Sequence, residues 1–296
     1  MSTVKYLTRK EVNIERWNSR VAASVNGLIY ATTDYLDLIA GNWDALVDGD
    51  YECIMPLTSK RKYGTKYLYQ PVFCQQLGII GSCSTSTQKA FIETAQQHYP
   101  FAEINLNFGN GIIQSTCNNF VLDLCQPYEN IRSIYNNDLK KNLQRSRQFS
   151  LQYHASGNAE ECLSLYRSTY GDRFPQVKSH HYQSLTKFCK THQENHLVRE
   201  VRAVEKLLST VLCLKDEKRI YFLASTTHPE GRDMEANHFL VDKLIQEFSS
   251  QPLLLDFEGS DIPGIASFYK NFGSVHQPYQ RISWNHLKWP WSMFKK

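Results

Sequence analysis

Two carboxylates stand two residues apart, Asp256 and Glu258, where the apolar run PLLLDF (252–257) gives way to Glu258, Gly259 and a helix start at 260–263. Strand ends that face a helix N-terminus are common ligand positions in α/β sheets. A carboxylate there can orient an attacking amine or take its proton. The plainer use of these acids is capping, with Asp256 or Asp261 closing the first turn of the following helix. Further along, Lys140, Lys141, Arg145 and Arg147 crowd one helix at 138–147. Such a run suits a polyanion such as tRNA or a nucleotide-linked substrate, held in a salt-dependent way. It equally suits a solvated helix face, and no aromatic residue is interleaved in it. The segment LYQPVFCQQLG (68–78) is polar and aromatic after a strand; with Tyr67, Tyr69 and Gln75 it could line a substrate cleft between domains, or serve as a structural loop.

Other chemistries find less support. Among ten histidines, His180 and His181 are adjacent, but no pair has the spacing that places two imidazoles on one helix face, so no metal site is expected. The eight cysteines form no C-x-x-C pair. Most sit in apolar segments, Cys53 in ECIMPL and Cys213 in STVLCL, which reads as buried reduced thiols in a cytoplasmic protein. The N-terminus is polar, with no apolar core of a secretory signal, and no stretch of about 18 apolar residues suggests a membrane span. A hydrophobic fraction of 42% excludes a disordered chain, and a net charge of +4 is too mild to imply a nucleic-acid or membrane partner by itself.

The elements that must position these groups follow from periodicity. Helical spacing predicts helices at 10–25 and 32–40, then a hairpin of WDALVD (43–48) and YECIMPL (51–57), a turn at Gly64 and a strand ending at Pro71. A helix follows at 86–98, capped by Ser86 or Thr87, then strands at 102–108 and 118–124. One long polar helix is expected at 128–147. After it come a strand, helices at 158–170 and 179–190, three strands with a KDEK turn, a helix at 235–249, the buried strand 252–257, a last helix and closing strands around 275–284. The tail WNHLKWPWSMFKK is aromatic and basic, suited to packing across a domain or to a contact.

A weak internal repeat organises this list. Aligning LNF (106–108) with LDF (255–257) gives an offset of 149 residues, about half of the 296-residue chain. The offset places Phe91 on Leu240, Ile92 on Val241 and Ala95 on Leu244. Both halves run through two helices, a hairpin with a charged turn, a helix and a strand. Two α/β domains of one type are expected, 1–127 and 128–296, the second opening with the linker helix. Hairpins followed by helix–strand–helix imply a mixed sheet with helices on both faces.

That order resembles the GNAT acyltransferase fold, and IASFYKNFGS (265–274) makes the resemblance concrete. The family's alanine, tyrosine and aromatic–glycine pattern falls on Ala266, Tyr269, Phe272 and Gly273, with the last pair in reversed order. A duplicated GNAT fold, with a basic helix-into-strand segment like DLKKNLQRSRQFSLQYH (138–154), resembles the FemAB-like and CelD-like proteins. The resemblance implies two tandem GNAT-like domains, the first degenerate. It implies transfer of an acyl or aminoacyl group from acyl-CoA or aminoacyl-tRNA to a small-molecule or peptide amine, with backbone N–H groups near 222–226 polarising the carbonyl. It also implies that Tyr269 acts as a proton donor to the leaving group. The opposing reading of Tyr269 is packing, since Ile262, Ile265, Tyr269 and Phe272 share one helical face. The family's phosphate loop corresponds to THPEGRDMEANHFL (227–240), where Gly231, Arg232, Ala236 and Asn237 would meet acyl-CoA. That loop lacks the second glycine, and Asp233 and Glu235 put negative charge where phosphate would sit. FemAB proteins, with a tRNA-borne donor, do not need the loop intact. The alternative is a non-catalytic binding protein on a retained GNAT fold. The oligomeric state is left open.

Overall fold

The structure is a computed structural model that describes residues 4–112, 114–156, 158–259 and 261–288. Ser260 of the expected helix start and residues 289–296 of the aromatic tail lie outside them. Two compact units are present: 118–277, and 1–117 together with 278–296.

In the first unit, strands β1 (Lys5–Thr8), β2 (Trp43–Asp48), β3 (Cys53–Lys62), β4 (Thr65–Tyr69), β5 (Phe101–Leu106) and β6 (Ser115–Cys117) surround helices α1 (Ile14–Ala23), α2 (Thr33–Ile39) and α3 (Thr85–His98). The second unit runs through β7 (Phe120–Asp123), α4 (Tyr128–Ser133), α5 (Asn137–Ser146), β8 (Gln152–Ser156), α6 (Ala159–Tyr170), α7 (Ser179–Thr191), β9 (His196–Ala203), β10 (Lys206–Lys215) and β11 (Arg219–Thr227). It continues through α8 (Pro229–Asp233), α9 (Ala236–Phe248), β12 (Leu254–Asp256), α10 (Pro263–Asn271) and β13 (Val275–His276). The chain then returns to the first unit as β14 (Tyr279–Asn285).

The sheets have matching orders, β1-β2-β3-β4-β5-β14-β6 and β8-β9-β10-β11-β12-β7-β13. Each contains one parallel pair, β4 with β5 and β11 with β12, amid antiparallel neighbours. The sixth position of each sheet is filled by a strand from the other end of the sequence. The expected division at 127/128 therefore differs from the compact units: β7 precedes the linker yet pairs with β12, and β14 follows the second unit yet pairs with β5 and β6.

The 149-residue offset marks equivalent core positions. Phe91 and Ala95 of α3 are buried against β3, β4 and β5, as Leu240 and Leu244 of α9 are against β10, β11 and β12. Each fully buried side chain of this size contributes roughly 1.5–3 kcal/mol. Val211 and Cys213 of β10 face α9, while α6 covers the opposite sheet face, with Cys162 Sγ 3.9 Å from the Ala224 carbonyl.

Three expectations need correction. The helix at 128–147 is two helices, because Asn136 leaves helical geometry and its side chain accepts from the Leu139 N–H at 2.8 Å, capping α5. The cap of α3 is Ser84, which accepts from the Thr87 N–H at 3.1 Å, not Ser86 or Thr87. Cys53 is not a free thiol: it is bonded to Cys83, 30 residues away, a pairing that neither apolar context nor spacing announces. Cys74, Cys117, Cys162, Cys189 and Cys213 are buried free thiols, and Cys125 is an exposed one.

Candidate active site

The second unit's sheet opens where β11 leaves β12. The two strands pair in parallel only over Arg219–Tyr221 and Leu254–Asp256, although β11 continues to Thr227. Opposite this point β11 carries one extra residue against β10, a bulge between the pairs Leu214↔Tyr221 and Leu212↔Ala224. A bulge increases local twist and re-aims the strand. From Phe222 onward the β12-facing edge of β11 therefore lies outside the β11–β12 ladder, giving backbone N–H groups directed at the opening.

Asp256, Glu258 and Tyr269 are brought together at this opening. Asp256 is buried and salt-bridged, with Arg219 Nη1 donating to its Oδ2 at 2.8 Å. Its other oxygen accepts from the Glu258 N–H at 3.0 Å. Asp256 thus shapes the turn rather than facing solvent, and both of its oxygens are committed. Glu258 is partly buried and left-handed, with φ of 60°. Gly109 holds the equivalent position in the first half, with φ of 81°. A side chain in this conformation costs on the order of 1–3 kcal/mol and persists where the surroundings over-determine it. Desolvation pushes the Glu258 carboxyl up to about 8. Asp261, the other capping candidate, instead accepts from the Asn118 N–H and side-chain amide at 3.2 and 2.9 Å.

Tyr269 stacks on Phe257 with ring centroids 4.7 Å apart and meets Phe222 edge-on at 6.5 Å. Burial and the charges of Glu258 and Asp256 push its phenol well above the ordinary tyrosine range, so it stays protonated and able to donate. The packing reading of its helix face holds only in part. Phe272 is fully buried, but Ile262 and Ile265 are exposed by 58% and 39%. Only half of that apolar stripe serves the core.

The stretch matching the phosphate loop folds as α8, a left-handed Glu235 with φ of 59°, and α9. Gly231 is buried, and a Cβ there would stand 2.5 Å from the Leu208 carbonyl oxygen, so its glycine serves close packing of α8 on β10. Ala236 is buried in the core, Arg232 is exposed, and Asn237 lies 3.4 Å from the Ser225 hydroxyl. The Glu235 carboxylate stands at the start of α9, bound to Arg145 of α5 and to His238 Nδ1 at 2.7 Å. Burial pushes the His238 imidazole down. The positive end of α9 already faces an internal anion, so these residues do not fit a pyrophosphate.

Arg145, expected on a polyanion-binding face, is thus held by Glu235, while Lys141 stands 3.7 Å from Asp138 and Lys140 donates to the Ser133 carbonyl at 3.0 Å. A polar recess of about 440 Å³ beside them is lined by Lys141, Arg145, Asn142 and Gln148 among others.

Tyr67, Tyr69 and Gln75 belong to the first unit. There the parting of β4 and β5 after Tyr69↔Glu103 is filled by the chain itself. Gln70 Oε1 accepts from the Asn105 N–H at 2.9 Å, Gln76 Oε1 from the Phe108 N–H at 3.0 Å, and the Gln75 carbonyl from the Asn105 amide at 2.8 Å. Tyr69 donates to the Ala40 carbonyl at 3.2 Å, under the Lys60 ammonium, and Tyr67 packs edge-on against Phe101. Phe222 and the Glu235–Arg145 pair escape sequence reading because their roles depend on a bulge and on a contact spanning 90 residues. The left-handed glycine at the position equivalent to Glu258 was the legible signal.

Among the described residues no cluster of three or more metal-ligating side chains occurs, and no helix is long and apolar enough to cross a membrane. No protein-family model and no curated protein matches the sequence. Solved structures do. FemX superposes with a TM-score of 0.68 at 11% identity, covering 98% of this chain and 99% of FemX. A conserved protein of unknown function from Bacteroides thetaiotaomicron superposes at 0.60, with 9% identity and coverage of 95% and 99%. A tandem GNAT protein from the clavulanic acid biosynthesis pathway superposes at 0.52, with 9% identity and coverage of 95% and 98%. The fold is that of a tandem GNAT protein of the FemX type.

Proposed function

We propose that the second unit transfers an aminoacyl group from an ester donor to an amine acceptor. The observation that supports this most is the parting of β11 from β12 beside Glu258 and Tyr269. An acyl carbonyl laid along the open edge of β11 would accept from its backbone N–H groups, which are fixed in place and stabilise the oxyanion of a tetrahedral intermediate. Glu258 takes the proton from the attacking amine, and Tyr269 gives a proton to the departing oxygen. General acid and base groups of this kind contribute about 10²–10⁴-fold each. Asp256 and Arg219 hold the turn that carries Glu258.

The donor is an aminoacyl-tRNA rather than acyl-CoA, because Glu235, Arg145 and His238 occupy the anion position at the start of α9. Arg232 and Asn237 then have no phosphate duty, and the acceptor is a small-molecule or peptide amine. A non-catalytic protein on this fold would need no raised carboxyl beside a protonated phenol, so the site favours the enzyme reading.

The test compares donors. Calorimetric titration should give no acetyl-CoA binding to the native chain, whereas charged tRNA should bind with an affinity that falls as salt rises. Glu235→Gly, which suits the left-handed backbone, should bring acetyl-CoA affinity up at least tenfold. Turnover of acetyl-CoA by the native chain would overturn the donor assignment. Loss of both donors' binding would leave the non-catalytic alternative.

A further inference from the structure

The surroundings of Glu258 have a second property that general-base work does not require: they are aromatic. Phe222 and Phe257 lie 5.9 Å apart between ring centroids, and both meet Tyr269. Tyr166 of α6 is close enough to act electrostatically on the Tyr269 phenol, and its own ring packs edge-on against Tyr170. Phe222 and Phe257 are buried, while Tyr166, Tyr269 and Glu258 are partly exposed and form the accessible rim. Aromatic rings with one carboxylate form a pocket for a desolvated cation, since the ring faces attract positive charge and the carboxylate neutralises it.

We infer that Tyr166, Phe222, Phe257 and Tyr269 with Glu258 form an ammonium pocket, so that the acceptor amine is captured in its protonated form. The inference rests on the proposed amine acceptor and names its binding state. Groups facing Glu258 support this. Tyr269 comes from α10, and Tyr166 comes from α6. Asp256 on its own strand is neutralised by Arg219 of β11. None of them supplies a cation to the rim, so an incoming ammonium is the matching charge.

Proton balance follows. With its carboxyl pushed up by desolvation, Glu258 is mostly protonated at pH 7. Capture of R–NH3+ expels that proton to solvent and leaves a carboxylate–ammonium pair. Transfer of one ammonium proton to Glu258 then yields R–NH2, whose lone pair forms the C–N bond as the acyl–oxygen bond breaks.

The experiment is calorimetric titration of the native chain with n-butylammonium chloride at pH 7, in phosphate and in Tris, with n-butanol as the uncharged probe. The expected result is butylammonium binding at least tenfold tighter than butanol. The binding heat should differ between buffers by the release of nearly one proton. Glu258→Gln should remove the buffer dependence, and Tyr269→Leu should weaken butylammonium at least threefold while leaving proton release in place. Equal binding of the two probes, no butylammonium binding, or buffer-independent heats in the native chain would overturn the inference. Aminoacyl transfer to a non-basic amine without butylammonium capture would overturn it while leaving the proposed function standing.

Discussion

Glu258 combines a left-handed backbone, partial burial and a carboxyl raised to about 8. Because its folded pKa lies above the unfolded value, its contribution to stability is complete at pH 4 and is lost as pH rises through 8. Glu258→Gln should therefore melt at the same temperature as the native chain at pH 4 and at a higher temperature at pH 9, read by circular dichroism. In turnover the sign reverses in use: a base must be ionised, so the rate should rise with pH and level off above about 8, and Glu258→Gln should lose about 10²-fold or more. Asp256 is a different case. Truncation to alanine leaves Arg219, only 4% exposed, without its carboxylate, and chemical denaturation should show a loss of about 3–5 kcal/mol. The adjacent acids were visible in sequence, but their division of labour depends on which one the strand turns inward.

At the scale of elements, the same opening is used in two ways. In the second unit β11 parts from β12 beside a titratable group, whereas in the first the glutamines of 70–76 hydrogen-bond across the corresponding opening. Packing also explains the phosphate-loop glycine. Gly231→Ala would press a methyl group into the Leu208 carbonyl, and a loss of about 1–3 kcal/mol is expected by urea denaturation, with no change in donor preference. Periodicity located α3, α9 and the β2–β3 hairpin closely, because each has an apolar face repeating at its own period. It ran α4 and α5 together, since the polar residues around Asn136 fit a helix surface and a cap equally well. The three-residue β6 has too few positions to show any period.

At the scale of the whole molecule, the exchanged strands decide where the compact units begin and end. β14 is inserted between β5 and β6, with Ile282 buried and the Trp284 indole donating to the Tyr99 carbonyl at 2.8 Å. Ending the chain at Gln277 should expose the β5 edge. Hydrogen exchange over 101–106 should accelerate strongly, while β9, β10 and β11 keep their protection. By itself, the sequence determined the class of the fold, its duplication at an offset of 149 and the residues Asp256, Glu258 and Tyr269, because these are written in local period and residue type. Tertiary structure alone decided the strand exchange, the Cys53–Cys83 bond, the internal anion at α9 and the aromatic setting of Glu258. Each depends on residues distant in sequence meeting in space, and local pattern carries no information about such meetings.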